Sequence, residues 1–146
     1  MNYKIRPLIL SDFYRGYLSL LKQLSIVNDN ISYIDFKNKW FEIANNKFHK
    51  IYVIEFQNKI VASGTLIIEP KFIRNCKFAS HIEDIVVEKK MRGNGLSKKI
   101  INKLIEISKE LNCYRITLNC HQDKFGLYEK FGFKKRSNCM RIDIND

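Results

Sequence analysis

The chain has little of what would commit it to a membrane, a metal or a disulfide scaffold. No stretch approaches the roughly 18 consecutive apolar residues of a membrane span, and the N-terminus carries Lys4, Arg6 and Pro7 without a signal-like apolar core. A soluble, cytoplasmic protein with no membrane span is expected. The 4 cysteines (Cys76, Cys113, Cys120, Cys139) form no C-x-x-C pair, and no histidine stands at a metal-finger spacing. Neither a metal site nor a disulfide framework is indicated, and reduced thiols are expected. A nucleophilic role for Cys120 would need an activating base that the spacing does not reveal.

Acidic residues are also in short supply, 15 against 26 Lys plus Arg, for a net charge of +11. Such a balance invites nucleic acid, yet Lys outnumbers Arg 19 to 7 and the basic residues are scattered rather than massed on an arm or a recognition helix. No nucleic-acid partner is expected, while local attraction for a phosphorylated ligand is. Repeats and low-complexity linkers are missing too. The 146 residues suit one domain over 1–146, which would bury about 70% of its extended-chain surface.

What is present is a mixed pattern. Tyr3–Arg6 predicts a short strand, and Ser11-Asp12 a cap for a helix carrying Phe13, Tyr17, Leu20, Leu21 and Leu24 to about Ser25. A second helix is expected from about Ser32 to Asn45. Ile51–Phe56 and Ile60–Glu69 read as a hairpin turning at Asn58, with Gly64 as a bulge or close approach and Pro70 as the stop. Strands at His81–Val87 and Tyr114–Cys120 flank a helix running from Leu96 to about Leu111. A short helix over Asp123–Phe131, ended by Gly132, precedes two terminal strands at Phe133–Arg136 and Cys139–Ile144. The order predicts an α+β fold: a mixed, largely antiparallel sheet covered by helices on both faces.

The chemistry concentrates between His81 and Ser97. Glu83 and Asp84 interrupt a β-branched strand, and buried charge needs a reason. Ile82 is even while Ile85 and Val87 are odd, so the inward pattern slips by one residue. A β-bulge at the acidic pair explains the slip and frees a backbone N–H, that of Ile85 or Val87, for a ligand carbonyl. Then comes Arg92-Gly93-Asn94-Gly95-Leu96-Ser97-Lys98-Lys99, opening a helix. Glycines for close backbone approach, a helix N-terminus and three cations together predict a phosphate site.

These segments, with the late Leu127-Tyr128-Glu129-Lys130-Phe131-Gly132-Phe133, resemble the GNAT superfamily of N-acetyltransferases, whose signatures are R/Q-x-x-G-x-G/A and Y-E-K-x-G-F. Further segments resemble, more narrowly, the glucosamine 6-phosphate N-acetyltransferases: Arg6-Pro7-Leu8, Leu24-Ser25, Leu66–Ile73, His81–Ile85 and Leu111–Leu118. The resemblance implies the GNAT fold with a bulged central strand. It implies transfer of acetyl from acetyl-CoA to D-glucosamine 6-phosphate, on the route to UDP-N-acetylglucosamine, by direct attack in a ternary complex of a homodimer without metal.

Carried over by the same resemblance, Ile85, Val86, Val87, Arg92–Lys98, Lys124 and Tyr128 are expected at the coenzyme, with Tyr128 protonating the leaving thiolate. Ser25, Lys71, Phe72, Ile73, Arg74, Glu83, Asp84, Ile85, Tyr114, Arg115 and Arg141 are expected at the sugar phosphate. Ser97 replaces a small Gly or Ala, Arg74 a histidine, Arg115 a lysine and Lys124 an asparagine. Asn119 stands where relatives carry a carboxylate, and an amide takes no proton. The base is then Glu83, Asp84, a water or a backbone carbonyl. Asp143 stands where the family uses an arginine across the dimer, and Arg141, on the same strand face, substitutes for it. Acetylation of another amine, and a non-catalytic acetyl-CoA-binding module, are the alternative readings.

Overall fold

The computed structural model describes residues 1–145. The elements run β1 (Lys4–Pro7), a 3-10 segment (Leu10–Arg15), α1 (Tyr17–Leu21), α2 (Tyr33–Ala44), β2 (His49–Phe56), β3 (Lys59–Pro70), a one-turn α3 (Ile73–Cys76), β4 (Phe78–Val87), α4 (Leu96–Glu110), β5 (Ile116–Leu118) and α5 (Phe125–Glu129). The strands form one sheet in the order β1-β2-β3-β4-β5. All pairs are antiparallel except β4 with β5, which run parallel. This is the α+β architecture the residue pattern predicts.

Periodicity decides which helix covers which face. Leu96, Ile100, Leu104 and Ile107 recur every three or four residues of α4 and pack on Ile54, Leu66 and Ile82 of the sheet. Each such side chain contributes about 1.5–3 kcal/mol by leaving water. On the other face Tyr17 and Leu20 of α1 and Phe36 of α2 close over Val53, Ile60 and Val86. Ser32 caps α2, accepting from the Asp35 N–H at 3.1 Å while Asp35 accepts from the Ser32 N–H at 3.0 Å. The β2–β3 hairpin turns at Gln57 and Asn58, both at positive φ (50° and 61°). Both residues therefore take the mirror-turn conformation that matches strand twist.

The strand parity slip is a bulge. Ser63 pairs with Val86 and Thr65 with Glu83, so Asp84 and Ile85 together face Gly64 alone. Ile82, Ile85 and Val87 consequently all pack on the α4 side, and Val86 on the α1–α2 side.

Three expectations need correction. The first helix is broken: a 3-10 segment ends at Gly16 (φ 81°) before α1 begins. Asp12 does not cap a long helix. It is wholly buried, gripped by Arg6 through two 2.8 Å contacts and by the Ile9 N–H at 2.9 Å, with Arg15 at 3.2 Å. Burial alone would raise the Asp12 carboxyl; the Arg6 hydrogen bonds, chief among the opposing effects, bring it below the ordinary range. The second correction is length: β5 keeps only Ile116–Leu118, and the helix expected over Asp123–Phe131 is a 3-10 turn (Gln122–Lys124) followed by α5. The third is the pair of terminal strands, since residues 133–145 contain no strand. Their alternation survives in Met140, Ile142 and Ile144, all more than 80% exposed, but a strand needs an edge to pair with.

Among the described residues no helix is long and apolar enough to cross a membrane, and no group of three or more His, Cys, Asp or Glu is placed to hold a metal.

Candidate active site

The parallel strands β4 and β5 pair only at Ser80–Ile116, His81–Thr117 and Ile82–Leu118. Beyond that last rung β4 continues through Glu83, Asp84 and the bulge while β5 ends. The sheet therefore forks beyond Ile82 and Leu118, with Glu83, Asp84 and the bulge on the β4 arm.

On the β4–α4 side, Gly93 and Gly95 sit at φ 83° and 74°, and a methyl group added to either would meet nothing within 4 Å. The left-handed conformation favours glycine, and open space above it lets a ligand reach the backbone. The N–H groups of the first α4 turn point into that space without helical partners. Arg92 and Lys98 are exposed there, whereas Leu96 is buried and offers only its backbone. Asn94 serves the loop itself, donating to the Met91 carbonyl at 2.9 Å, and Arg92 Nε reaches the Val87 carbonyl at 3.3 Å. Ser97 is half-buried within the first turn. These features fit a pyrophosphate.

Gly64 makes the fork possible. A Cβ there would lie 2.5 Å from Ile100 Cγ2 and 2.7 Å from Ile85 Cδ1, so a larger residue would push those side chains of α4 and the bulge aside. Asp84 takes φ 54° at the bulge, a conformation tolerated by Asp better than by most residues. Its side chain lines a cavity of about 250 Å³ with Tyr17, Ser63 and Thr65, walled by Trp40 and Ile43. Burial pushes the Tyr17 phenol up to about 12, with the Asp84 charge adding to the rise. The phenol beside Asp84 therefore keeps its proton at neutral pH.

At the opposite end of β4, next to Phe78, α3 is a left-handed turn: Arg74, Asn75 and Cys76 have φ of 56°, 60° and 58°. The Arg74 and Arg115 guanidinium carbons lie 5.7 Å and 5.3 Å from the Tyr114 ring centre, within cation–π range. The Tyr114 hydroxyl is buried without a hydrogen-bond partner among the described residues. Lys71 contacts Glu69 at 2.6 Å. That bond, with the charges of His81 and Arg115, holds the Glu69 carboxyl below its ordinary range. Phe72 and Ile73 project into solvent. Arg74 and Arg115, distant in sequence, thus share the Tyr114 ring, while Lys71 is tied to Glu69.

Three predicted residues stand apart from those contacts. Ser25 lies on the α1–α2 loop, in a shallow groove from Lys22 to Val27. Lys124 is exposed immediately before α5. Arg141 pairs with Asp143 at 2.6 Å in the C-terminal segment.

Tyr128, on α5, is half-buried and meets Phe133 edge to face at 6.0 Å. Burial, and secondarily the neighbouring Cys120, raises its phenol above the ordinary range. The Cys120 thiol is itself raised by burial and by the Asp123 charge, so it stays a thiol rather than a nucleophilic thiolate.

Sequence reasoning missed two sets of contacts at the fork. Gln23 donates to Glu88 at 2.7 Å and accepts from the Lys89 N–H at 3.0 Å, tying the α1–α2 loop to the β4–α4 connection. His81 touches both Glu83 and Thr117. Residues 65 positions apart carry no local signal of contact, whereas the i, i+2 spacing of His81 and Glu83 on one strand face was readable.

Residues 10–133 match the model of the acetyltransferase (GNAT) family. The chain is 38% identical over 139 residues to glucosamine 6-phosphate N-acetyltransferase of Arabidopsis thaliana, covering 93% of each chain. It is 36% identical over 143 residues to glucosamine 6-phosphate N-acetyltransferase 1 of Oryza sativa, covering 96% of this chain and 86% of that one. The crystal structure of the Arabidopsis thaliana enzyme superposes with a TM-score of 0.94 at 37% identity, over 99% of this chain and all of that one. With the fork, the bulge and the two-glycine loop in the same chain, this protein belongs to the acetyltransferase (GNAT) family.

Proposed function

We propose that the chain transfers the acetyl group of acetyl-CoA to the amino group of D-glucosamine 6-phosphate, giving N-acetylglucosamine 6-phosphate and CoA. The observation that carries this reading is the near full-length similarity to enzymes named for that reaction. Further support comes from a phosphate-accepting helix start beside the fork and a pair of guanidinium groups, Arg74 and Arg115, at the other end of β4. One substrate is a dinucleotide-like coenzyme, and the second site suits a phosphorylated acceptor.

In the reaction a C–N bond forms at the thioester carbonyl carbon and the C–S bond breaks. The amine loses one proton and the departing thiolate gains one. Backbone N–H groups at the β4 bulge, Ile85 or Val87, are aimed to meet the charge that develops on the carbonyl oxygen. Tyr128, whose raised phenol stays protonated, supplies the proton to sulfur. Asp84 and Glu83 hold the amine and take up its proton directly or through water. Gly93–Lys98 and Arg92 hold the pyrophosphate. Arg74 and Arg115 suit a phosphate dianion, which guanidinium groups grip bidentately.

The assembly we propose is a cytoplasmic homodimer feeding UDP-N-acetylglucosamine synthesis. Its support is the exposed alternation of Met140, Ile142 and Ile144 beside Arg141, an apolar strand pattern that a second copy would pair and cover. Purified protein given acetyl-CoA and a panel of amines, with released thiol read by a disulfide reagent, tests the acceptor. Glucosamine 6-phosphate should exceed glucosamine in kcat/KM; equal rates on both would remove the phosphate from the reading.

A further inference from the structure

Glu83 is an exposed side chain on a forked strand, yet it is held. His81 Nε2 lies 2.9 Å from Glu83 Oε1, and His81 Nδ1 lies 2.7 Å from Thr117 Oγ1. His81 and Thr117 face each other across the β4–β5 pair one rung before the strands part. A three-residue chain, Thr117–His81–Glu83, therefore reaches across the base of the fork and ends on the carboxylate.

The Nε2–Oε1 approach is an ion-pair distance, and because a carboxylate only accepts, the two attract when Nε2 carries the hydrogen. In the neutral ring Nδ1 then accepts from the Thr117 hydroxyl, and in the imidazolium it donates to the same oxygen. The Thr117 contact survives either charge state, and the Glu83 approach is strongest in the imidazolium. An unsupported Glu side chain would sample several rotamers, whereas one tied at Oε1 presents its second oxygen, Oε2, in a fixed direction.

We infer that His81, oriented by Thr117, is a positioning residue that holds Glu83 for the acceptor amine. This rests on the acceptor-side role of Glu83 proposed above.

Kinetics on His81→Ala, Glu83→Ala and the double variant test the coupling. His81→Ala should lower kcat/KM for glucosamine 6-phosphate about tenfold while the KM for acetyl-CoA stays within about twofold. His81→Gln, whose amide can still donate, should recover most of the loss. In the Glu83→Ala background, removing His81 should cost nothing further, because the effect passes through a carboxylate already gone. Losses that multiply in the double variant, or a His81→Gln as poor as His81→Ala, would overturn the proposal.

The ring nitrogen-15 spectrum near pH 8 gives an arm independent of turnover. The proton should sit on Nε2, and its resonance should move in Glu83→Gln and in Thr117→Val. A proton on Nδ1, or a resonance indifferent to both changes, sinks the positioning role even in an active enzyme. Failure of the unaltered protein to acetylate glucosamine 6-phosphate would instead sink the proposed acceptor, with the nitrogen signature still deciding the contact.

Discussion

On the β4–α4 side of the fork, the groups that meet a ligand are backbone N–H groups, fixed by a helix whose Leu96, Ile100 and Leu104 are essentially inaccessible to water. At the other end of β4, Lys71, Arg74 and Arg115 are side chains carried on loops and strand ends, braced by Tyr114 and Glu69 rather than by the core. The proposed coenzyme side inherits its geometry from packing, and the proposed acceptor side from a few polar and cation–π contacts. Packing a large, constant coenzyme against backbone while reading a small acceptor with side chains lets one frame serve many amines.

The sharpest way to break this comparison is to remove the hydroxyl proposed to protonate the leaving thiolate. Tyr128→Phe keeps the ring against Phe133 and deletes only the hydroxyl. It should lower kcat about 10²–10³-fold with little change in the KM for acetyl-CoA, since thiolate charge appears only as the reaction proceeds. Thiol release in the steady state reads the rate. Because the folded phenol titrates above its ordinary range, the protonated form persists to higher pH. Activity that depends on it should hold through about pH 9 and fall only above the usual tyrosine range near 10. A loss of coenzyme affinity with kcat intact would make Tyr128 a binding residue.

A smaller change sharpens the acceptor side. Arg115→Ala should raise the KM for glucosamine 6-phosphate about 10–100-fold, as expected for one charged hydrogen bond lost, and leave acetyl-CoA unaffected. Unphosphorylated glucosamine should be nearly indifferent to the substitution. If the KM for acetyl-CoA rose in parallel, the two sides would not be separable.

The same division explains what was legible in the residues. The coenzyme side could be read locally, because a bulge shifts strand parity, glycines spaced by one residue mark a loop, and α4 repeats every three or four positions. The grouping of Lys71, Arg74, Tyr114 and Arg115 rested on family resemblance alone, since nothing in residues 40 positions apart encodes a shared ring face. The broken first helix was missed because Asp12 has the chemistry of a cap, and only its burial with Arg6 reveals the other use. The terminal strands were predicted from sound alternation at Met140, Ile142 and Ile144, but pairing is a property of the partner edge, which local sequence does not contain.

Gly64→Ala probes the packing itself. Its methyl would sit 2.5 Å and 2.7 Å from the Ile100 and Ile85 side chains, so β3, the bulge and α4 must separate. Overpacking of this kind costs about 1–3 kcal/mol, readable as a lower urea midpoint at an unchanged slope. Because the bulge would shift with it, kcat should fall as well. A loss of stability with full activity would mean that the bulge geometry is less critical to turnover than the packing suggests.

The smallest expected effect comes from exchanging glycine use between the two sides. Cys76 lies at φ 58° in the α3 turn, and Gly95 at φ 74° in the coenzyme loop. Left-handed backbone costs an ordinary L-residue about 1–2 kcal/mol, whereas glycine at Cys76 would loosen the unfolded chain by about 0.5–1 kcal/mol. Cys76→Gly should therefore leave a net gain of only about 0.5 kcal/mol, a rise in Tm of about 1–2 °C, with the KM for acetyl-CoA unchanged. Gly95→Ala reverses both signs: it imposes the left-handed cost and sets a methyl in the open space above the loop, lowering Tm by a few degrees and raising the KM for acetyl-CoA. Differential melting with and without acetyl-CoA separates the two contributions, because only the Gly95 variant should lose part of the coenzyme's stabilising shift. If Cys76→Gly also weakened that shift, the α3 turn would belong to the coenzyme side, and the boundary between the two sides would have to be redrawn through β3.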